Sequence, residues 1–306
     1  MSSLRKPGSP RQVRVLVNPR SGLGFAFDTF WSEIEEQFGR AGAEVAYQFS
    51  NAVADGQRKA ASAIAAGVDT LLVAGGDGMV NSIGAVLAGT PVALGVIPTG
   101  SGNGFARHFG IPLDIPGAVR ALAGARRMPI DVGTANGRPF FVTCSLAWDA
   151  AIARGFEAFP FRGIVPYVFA AATELINYAP QPFTVAVDGG PEQVIPDPVI
   201  FTLANLTQYG GGVQIAPQAR PDDGLMELVV VQRPDLPVVL VNIARLFNGT
   251  LDRLPQVQTR RFHTLDIRRE RAAPIQLDGE LVDAGQHVEI RLRPRALTVL
   301  VPPPAA

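Results

Sequence analysis

Through its first 128 residues the chain alternates short apolar runs with segments whose apolar residues recur every three or four positions. The runs predict buried strands and the recurring spacing predicts amphipathic helices. Val13–Val17, Glu44–Phe49, Thr70–Ala74 and Val92–Ile97 read as strands. Phe27–Arg40, Gly56–Ala66, Val80–Leu87 and Gly102–His108 read as helices. Strands alternating with helices predict a parallel sheet covered on both faces. Ligands of such sheets bind beyond the carboxyl ends of the strands. After Met128 the pattern changes. Ile130–Ala135, Pro139–Leu146, Phe183–Asp188, Val199–Leu206, Leu225–Gln232, Val257–Ile267, Ile275–Leu277 and Val288–Leu292 are strand-like and are separated by Gly, Pro, Asp and Asn. This predicts an antiparallel sandwich or barrel, with helical interruptions at Val165–Asn177 and Leu236–Phe247. Ala296–Val301 is nearly all apolar and reads as a strand returning to the first sheet. The expected organisation is a loose tail over 1–10, an α/β domain over 11–128 joined by 296–302, and a β domain over 129–295.

Composition narrows the classes. The chain has 306 residues, 47% hydrophobic and 18% charged, which suits globular domains with sizeable cores. Formal net charge is zero, so no global field draws it to nucleic acid, and no nucleic-acid partner is expected. Only Lys6 and Lys59 are lysines and no GxxxxGK[ST] occurs, which disfavours a phosphate loop built on lysine. Cys144 stands alone, so no internal disulfide forms, and it reads as a buried apolar thiol. His108, His263 and His287 show no metal-ligand spacing. The first residues lack an apolar signal region and no apolar run is long enough to span a bilayer, so a cytoplasmic protein that touches a membrane peripherally is expected.

Three motifs fall at predicted strand ends. The sequence LLVAGGDGMVN over 71–81 feeds a buried strand into a glycine turn and a helix. Glycines allow close approach to backbone N–H groups, and a helix N-terminus favours anions. Asp77 sits inside this turn. A carboxylate beside phosphate must hold a cation, accept a proton, or accept bonds from backbone donors. VNPRSG over 17–22 places Asn18 and Ser21 after the first strand, where an ordinary turn is an equal reading. VIPTGSGNGFAR over 96–107 brings Thr99, Ser101, Asn103 and Arg107, and is not a dinucleotide fingerprint.

Two acidic turns lie in the second half. PDDGLMEL over 221–228 carries Asp222 and Asp223, either as a simple turn or as a hard-cation site of carboxylate and backbone carbonyls. IQLDGEL over 275–281 places Asp278 and Glu280 around Gly279, either as a two-residue hairpin turn or with Asp278 as a proton acceptor. Arg291, Arg293 and Arg295 share one strand face, opposite Val288, Ile290 and Leu292; with Arg260, Arg261, Arg268, Arg269 and Arg271 they give the second half an arginine-rich surface, read chiefly as a solvated strand face and more weakly as attraction to anionic lipid.

Asn-Pro-x-Ser-Gly, Gly-Gly-Asp-Gly, Pro-x-Gly-Ser-Gly-Asn, Asp-Asp-Gly and Leu-Asp-Gly-Glu, in this order from about Val13 to Val301, resemble the diacylglycerol kinase catalytic-domain family, which includes bacterial lipid kinases, sphingosine kinases and ceramide kinases. The resemblance implies an N-terminal α/β domain related in fold to phosphofructokinase and NAD kinase, a C-terminal antiparallel β-sandwich, and an active site in the cleft between. It implies that Asn18, Ser21, Ser50, Gly75, Gly76, Asp77, Gly78, Met79, Val80, Asn81, Ser101 and Asn103 belong to an ATP site. It implies Asp278 as general base, with Glu280 and Asp77 in its metal and water network. It implies a structural Mg²⁺ held by Asp223, with Asp222 adjacent and the backbone carbonyls of Arg220 and Leu225. Met79 stands where bacterial members usually carry Thr, Ser101 replaces a Thr, and Gly104 replaces an Asp. The Gly-Ser-Gly-Asn form and Ser-Leu-Ala-Trp at 145–148 resemble sphingosine kinases, in which the Gly-Gly-Asp-Gly acid is the base, so Asp77 competes with Asp278.

The implied activity is transfer of phosphate from ATP, with Mg²⁺, to a lipid hydroxyl presented at a membrane surface. The lipid chain would lie near Trp148, Phe156, Phe159, Phe161 and Tyr167, for which core packing is an equal reading. A soluble-substrate kinase resembling NAD kinase and a non-catalytic nucleotide or lipid sensor are the competing readings. A homodimer is compatible with all three.

Overall fold

The computed structural model describes residues 10–19, 27–148, 150 and 178–303. Ser21, the expected helix Val165–Asn177, and Phe156, Phe159, Phe161 and Tyr167 lie outside them. The chain divides into two compact units, one running through Ile130 and resuming at Arg295, the other Asp131–Pro294.

The first unit contains β1 (Arg11–Val17), α1 (Phe27–Arg40), β2 (Ala43–Phe49), α2 (Val53–Ala65), β3 (Thr70–Gly75), α3 (Asp77–Leu87), β4 (Ala93–Pro98), α4 (Gly104–His108) and α5 (Ile115–Ala123). Its strands are parallel in the order β2-β1-β3-β4. Helices α1 and α5 pack together, as do α2 and α3. Right-handed crossovers put these pairs on opposite faces. Every residue of β3 and β4 is therefore buried, which explains their sequence, apolar but for Thr70. Helix α5 carries a signal of its own in Asp114, whose carboxylate accepts from Gly117 N–H at 2.7 Å, with Pro116 in the first turn.

The second unit contains β5 (Arg126–Ala135, entering from the first), β6 (Arg138–Phe140), β7 (Thr143–Ser145), β8 (Phe183–Val187), β9 (Gln193–Ile195), β10 (Pro198–Ala204), β11 (Gln208–Gly210), β12 (Val213–Gln214) and β13 (Met226–Gln232). There follow the short helices α6 (Leu236–Val241) and α7 (Arg245–Asn248), then β14 (Gln258–Phe262), β15 (Thr264–Arg269), β16 (Ile275–Leu277), β17 (Glu280–Val282) and β18 (His287–Val301). One layer runs β14-β13-β10-β7-β16-β17, and the other pairs the first half of β18 with β15, β8 and β9. Phe201, Leu203, Met226, Leu228, Phe262 and Leu277 of the first layer share a core with Phe183, Val185, Leu265, Ile267, Val288 and Ile290 of the second. This is an antiparallel sandwich.

Several predicted strands differ from the observed ones. Pro139–Leu146 splits into β6 and β7 because Phe141, Val142 and Thr143 turn their N–H groups to the Asp278 carboxylate. Val257–Ile267 splits at His263, where His263 and Thr264 N–H both donate to Asp188 Oδ1 at 2.8 Å. Val288–Leu292 and Ala296–Val301 are one strand, β18. Its last part pairs in parallel with β4 through Thr298 opposite Ala93 and Val299 opposite Leu94. The predicted helix Leu236–Phe247 is two short ones.

Candidate active site

In the first unit, three backbone hydrogen bonds tie four strand ends into one row. Ser50 N–H donates to Val17 O at 2.7 Å, Asn18 N–H to Ala74 O at 3.1 Å, and Thr99 N–H to Gly75 O at 3.1 Å. The residues following β1, β2, β3 and β4 thus meet at the carboxyl edge of the sheet. With strand order 2-1-3-4, this edge includes the β1/β3 switch point, where doubly wound sheets bind ligands. Asn18 is half-buried and Ser50 is buried.

Two glycine turns touch here. A Cβ on Gly100 would lie 2.6 Å from Gly76 Cα. Gly76 caps α3, whose first N–H groups, from Asp77 and Gly78, have no carbonyl one turn back within the helix. The Met79 side chain lies over Gly75, where a Cβ would meet its sulfur at 2.7 Å. Met79 thus fills space against the turn where a threonine would offer a hydroxyl. Val80 is buried and Asn81 half-buried on α3.

Asp77 meets backbone donors, one of the three possibilities raised by its sequence setting. Its carboxylate accepts from Gly104 N–H at 3.1 Å and Phe105 N–H at 3.2 Å, at the start of α4. Burial pushes its pKa up, against the opposing effect of the Gly104, Phe105 and Asn103 amides and the Arg107 charge. Asn103 sits at φ 51°, closing the β4–α4 turn: its Nδ2 donates to Gly100 O at 2.8 Å and its Oδ1 accepts from Gly100 N–H at 3.2 Å. Its amide is used within the loop. Arg107 Nε donates to Gly102 O, and Ser101 is exposed. Thr99 Oγ1 is buried without a hydrogen-bond partner. An orphaned hydroxyl beside two glycines and a helix N-terminus is what an anionic ligand would satisfy, so these residues fit the phosphates of a nucleotide.

In the second unit, Asp278 and Gly279 both have positive φ, 49° and 96°, forming the two-residue hairpin turn between β16 and β17. Asp278 is buried, and its carboxylate accepts from Phe141, Val142 and Thr143 N–H at 2.7, 2.8 and 3.0 Å. It therefore clamps the β6–β7 connection onto the hairpin. Glu280 is exposed.

The Asp-Asp-Gly turn is held by a residue that sequence reasoning passed over. Asp131, fully buried, accepts from Gly224 N–H at 2.7 Å, and its own N–H donates to Pro221 O. Nothing around Asp131 in the sequence marks it, since its partner is 93 positions away. Asp223 accepts from Leu225 N–H at 3.1 Å and forms an ion pair with Arg261, which also faces Glu227 at 3.6 Å. Asp222 and Arg220 are exposed and Leu225 is half-buried. A guanidinium already neutralises the Asp223 carboxylate, so these residues, as placed, do not fit a Mg²⁺ at that oxygen. Among the described residues no group of three or more His, Cys, Asp or Glu gathers as a metal site.

Several arginines of the sandwich are engaged, while Arg260, Arg271 and Arg293 are exposed. Arg291 pairs with Asp266 and with Glu289, the latter at 2.6 Å; Arg268 pairs with Glu192; and Arg269 is buried, donating to Ala273, Ala284 and Gly285 carbonyls. A cavity of about 270 Å³ between the sandwich layers has Val185, Val187, Ile195, Leu228 and Val230 among its walls. Among the described residues no helix is long and apolar enough to cross a membrane.

Comparisons with known proteins agree with this arrangement. Residues 12–135 match the diacylglycerol kinase catalytic domain, and residues 143–301 match the YegS C-terminal NAD kinase beta sandwich-like domain. A protein of Mycobacterium tuberculosis named diacylglycerol kinase is 31% identical over 298 residues, covering 95% of each chain. A crystal structure of a diacylglycerol kinase from Bacillus anthracis superposes with a TM-score of 0.76 at 22% identity, covering 97% of this chain and 99% of that one, which speaks for the fold. The chain belongs to the diacylglycerol kinase catalytic-domain family of kinases.

Proposed function

We propose that the protein transfers the γ-phosphate of ATP to the hydroxyl of a diacylglycerol or related lipid. The observation that carries this is the hydrogen-bonded row at the sheet edge, where the orphaned Thr99 hydroxyl adjoins the two glycine turns. Family membership and the name of the Mycobacterium relative favour a lipid acceptor.

The Asp77 and Gly78 N–H groups, with Thr99 and Ser101, would hold phosphate oxygens, while Asn18, Ser50 and Asn81 border the nucleotide. Mg²⁺ bound with the triphosphate would neutralise part of its charge. Asp77 holds the turn after β3 against the start of α4, fixing the spacing of the two glycine turns. Phosphoryl transfer draws most of its rate from such positioning and charge placement. A carboxylate must take the acceptor's proton. The raised pKa of Asp77 suits that role. Asp278, with Glu280 beside it, is the alternative, and the three amides on its carboxylate give it an anchoring role as well.

The test is transfer of labelled phosphate from ATP to diacylglycerol, sphingosine, ceramide and NAD⁺, with the product identified by mass. Expected is Mg²⁺-dependent labelling of a lipid, lost in Asp77→Asn or Asp278→Asn. Labelling of NAD⁺ alone, or tight ATP binding with no turnover on any lipid, would overturn the proposal. Full activity in both variants would overturn the base assignment.

A further inference from the structure

Residues 236–251 form a segment with an unusual charge pattern: LPVVLVNIARLFNGTL contains one ionisable residue, Arg245. Its first helix, α6, is apolar on opposite faces. Leu236 and Val239 are buried in a cluster with Val199, Val229, Val231 and Leu251. Val238 and Val241, on the other side of the turn, are exposed, Val241 to 86%. Ile243 and Phe247, further along the segment, are exposed to 39% and 45%. A helix apolar all round normally has a second apolar partner, and a contiguous exposed apolar patch marks a contact surface.

We propose that this segment docks the protein onto a lipid bilayer carrying anionic headgroups, seating Val241, Ile243 and Phe247 among the outer acyl segments. Charge selects the bilayer as occupant. The exposed ionic residues flanking the segment, Arg233 and Arg253, are both cationic, and the acids beside them, Asp235 and Asp252, are half-buried. Apolar residues rimmed by arginine match the interface between headgroups and chains. Of the sandwich arginines, Arg261, Arg268 and Arg291 pair with Asp223, Glu192, Asp266 and Glu289, which reduces the net charge those three offer to a lipid surface; Arg260, Arg271 and Arg293 are exposed. The choice of a bilayer rests in part on the lipid-kinase reading above, since that substrate resides in one.

The test is co-sedimentation of the full chain with phosphatidylcholine vesicles with and without phosphatidylglycerol. The expected result is binding that needs the anionic lipid, and at least tenfold weaker partition for Val241→Asp/Phe247→Asp and for the milder Val241→Ser/Phe247→Ser, each with unchanged melting temperature. Val194→Asp, at an exposed valine on β9, should bind as the parent does. A tryptophan at 247 (F247W) should shift its emission to the blue when vesicles are added, a readout that needs no loss of binding. The double variants should retain turnover of a water-soluble short-chain diacylglycerol while losing it on vesicles. Failure of the parent to bind vesicles, or equal binding by both double variants, overturns the docking surface. So does conversion of a parent dimer to monomer with vesicle binding intact, which would assign the face to a second copy. Loss of vesicle binding in the variants of a protein that phosphorylates no lipid would uphold the surface and refute the kinase substrate.

Discussion

Gly100 approaches Gly76 so closely that a single added carbon on Gly100 would stand 2.6 Å from the Gly76 Cα. Two turns from different strands share the space that one side chain would need. Gly100→Ala must therefore part the turns after β3 and β4. A shift of about 1 Å in such a site costs on the order of 10²-fold in rate. Steady-state kinetics should show kcat/KM reduced by about that factor, with circular dichroism unchanged.

Asp77 and Glu227 give the protein a definite pH response. Burial raises both pKa values, from 3.8 and 4.5; at Glu227, Asp223 and Asp252 raise it further while Arg261 opposes them. The folded state then holds more protons than the unfolded state between the ordinary and raised values. Stability contributed by these two groups is present below the ordinary values and declines as pH rises through the raised ones. Urea unfolding across mildly acidic pH should show that decline, and Asp77→Asn should flatten part of it.

Asp278→Ala would leave the Phe141, Val142 and Thr143 amides facing an empty space. Each unsatisfied buried donor costs about 1–3 kcal/mol, so the variant should lose at least about 3 kcal/mol of stability. Asp278→Asn keeps one acceptor and should lose less. Comparing melting temperature with turnover in the two variants separates the anchor from the base: a purely anchoring Asp278 predicts activity that follows stability.

Phe140 covers Gly133 across the β5–β6 pair, where a Cβ would lie 2.2 Å from the ring. Gly133→Ala should destabilise by about 1–3 kcal/mol through overpacking. Adding Phe140→Leu should recover part of that loss, visible as a non-additive double-mutant cycle.

Asp223 should respond to Arg261 rather than to Mg²⁺. Without nucleotide, millimolar Mg²⁺ should leave the melting temperature of the parent unchanged. Arg261→Ala removes the cation shared by Asp223 and Glu227 and should lower it. A Mg²⁺-dependent rise in the parent would show that the ion displaces the guanidinium.

The strand-end motifs were legible because a parallel sheet puts successive loops on one edge, so Asn18, Asp77 and Thr99 could be grouped from spacing alone. What each side chain does was less legible. Asp77 meets amides 27 and 28 positions away, and Asn103 bonds inside its own loop through a left-handed backbone conformation. The apolar pattern of Pro139–Leu146 suggested one strand, but a carboxylate more than 130 positions later draws its middle amides out of the ladder. In β18 the opposite occurred: Arg293, Pro294 and Arg295 broke the apolar pattern without breaking the strand, because its two halves find different neighbours. Helix α5 was missed although the Asp114 cap and Pro116 announced it.

Those two sets of neighbours have a consequence for synthesis. Strand β4 is made early, yet Thr298 and Val299, which pair with Ala93 and Leu94, emerge about two hundred residues later. At ordinary translation speeds that delay is roughly 10–40 s. For that interval a fully apolar strand waits with one flank unmatched on the ribosome, so chaperone demand should concentrate there, and truncation just before residue 295 should leave a nascent protein prone to aggregate.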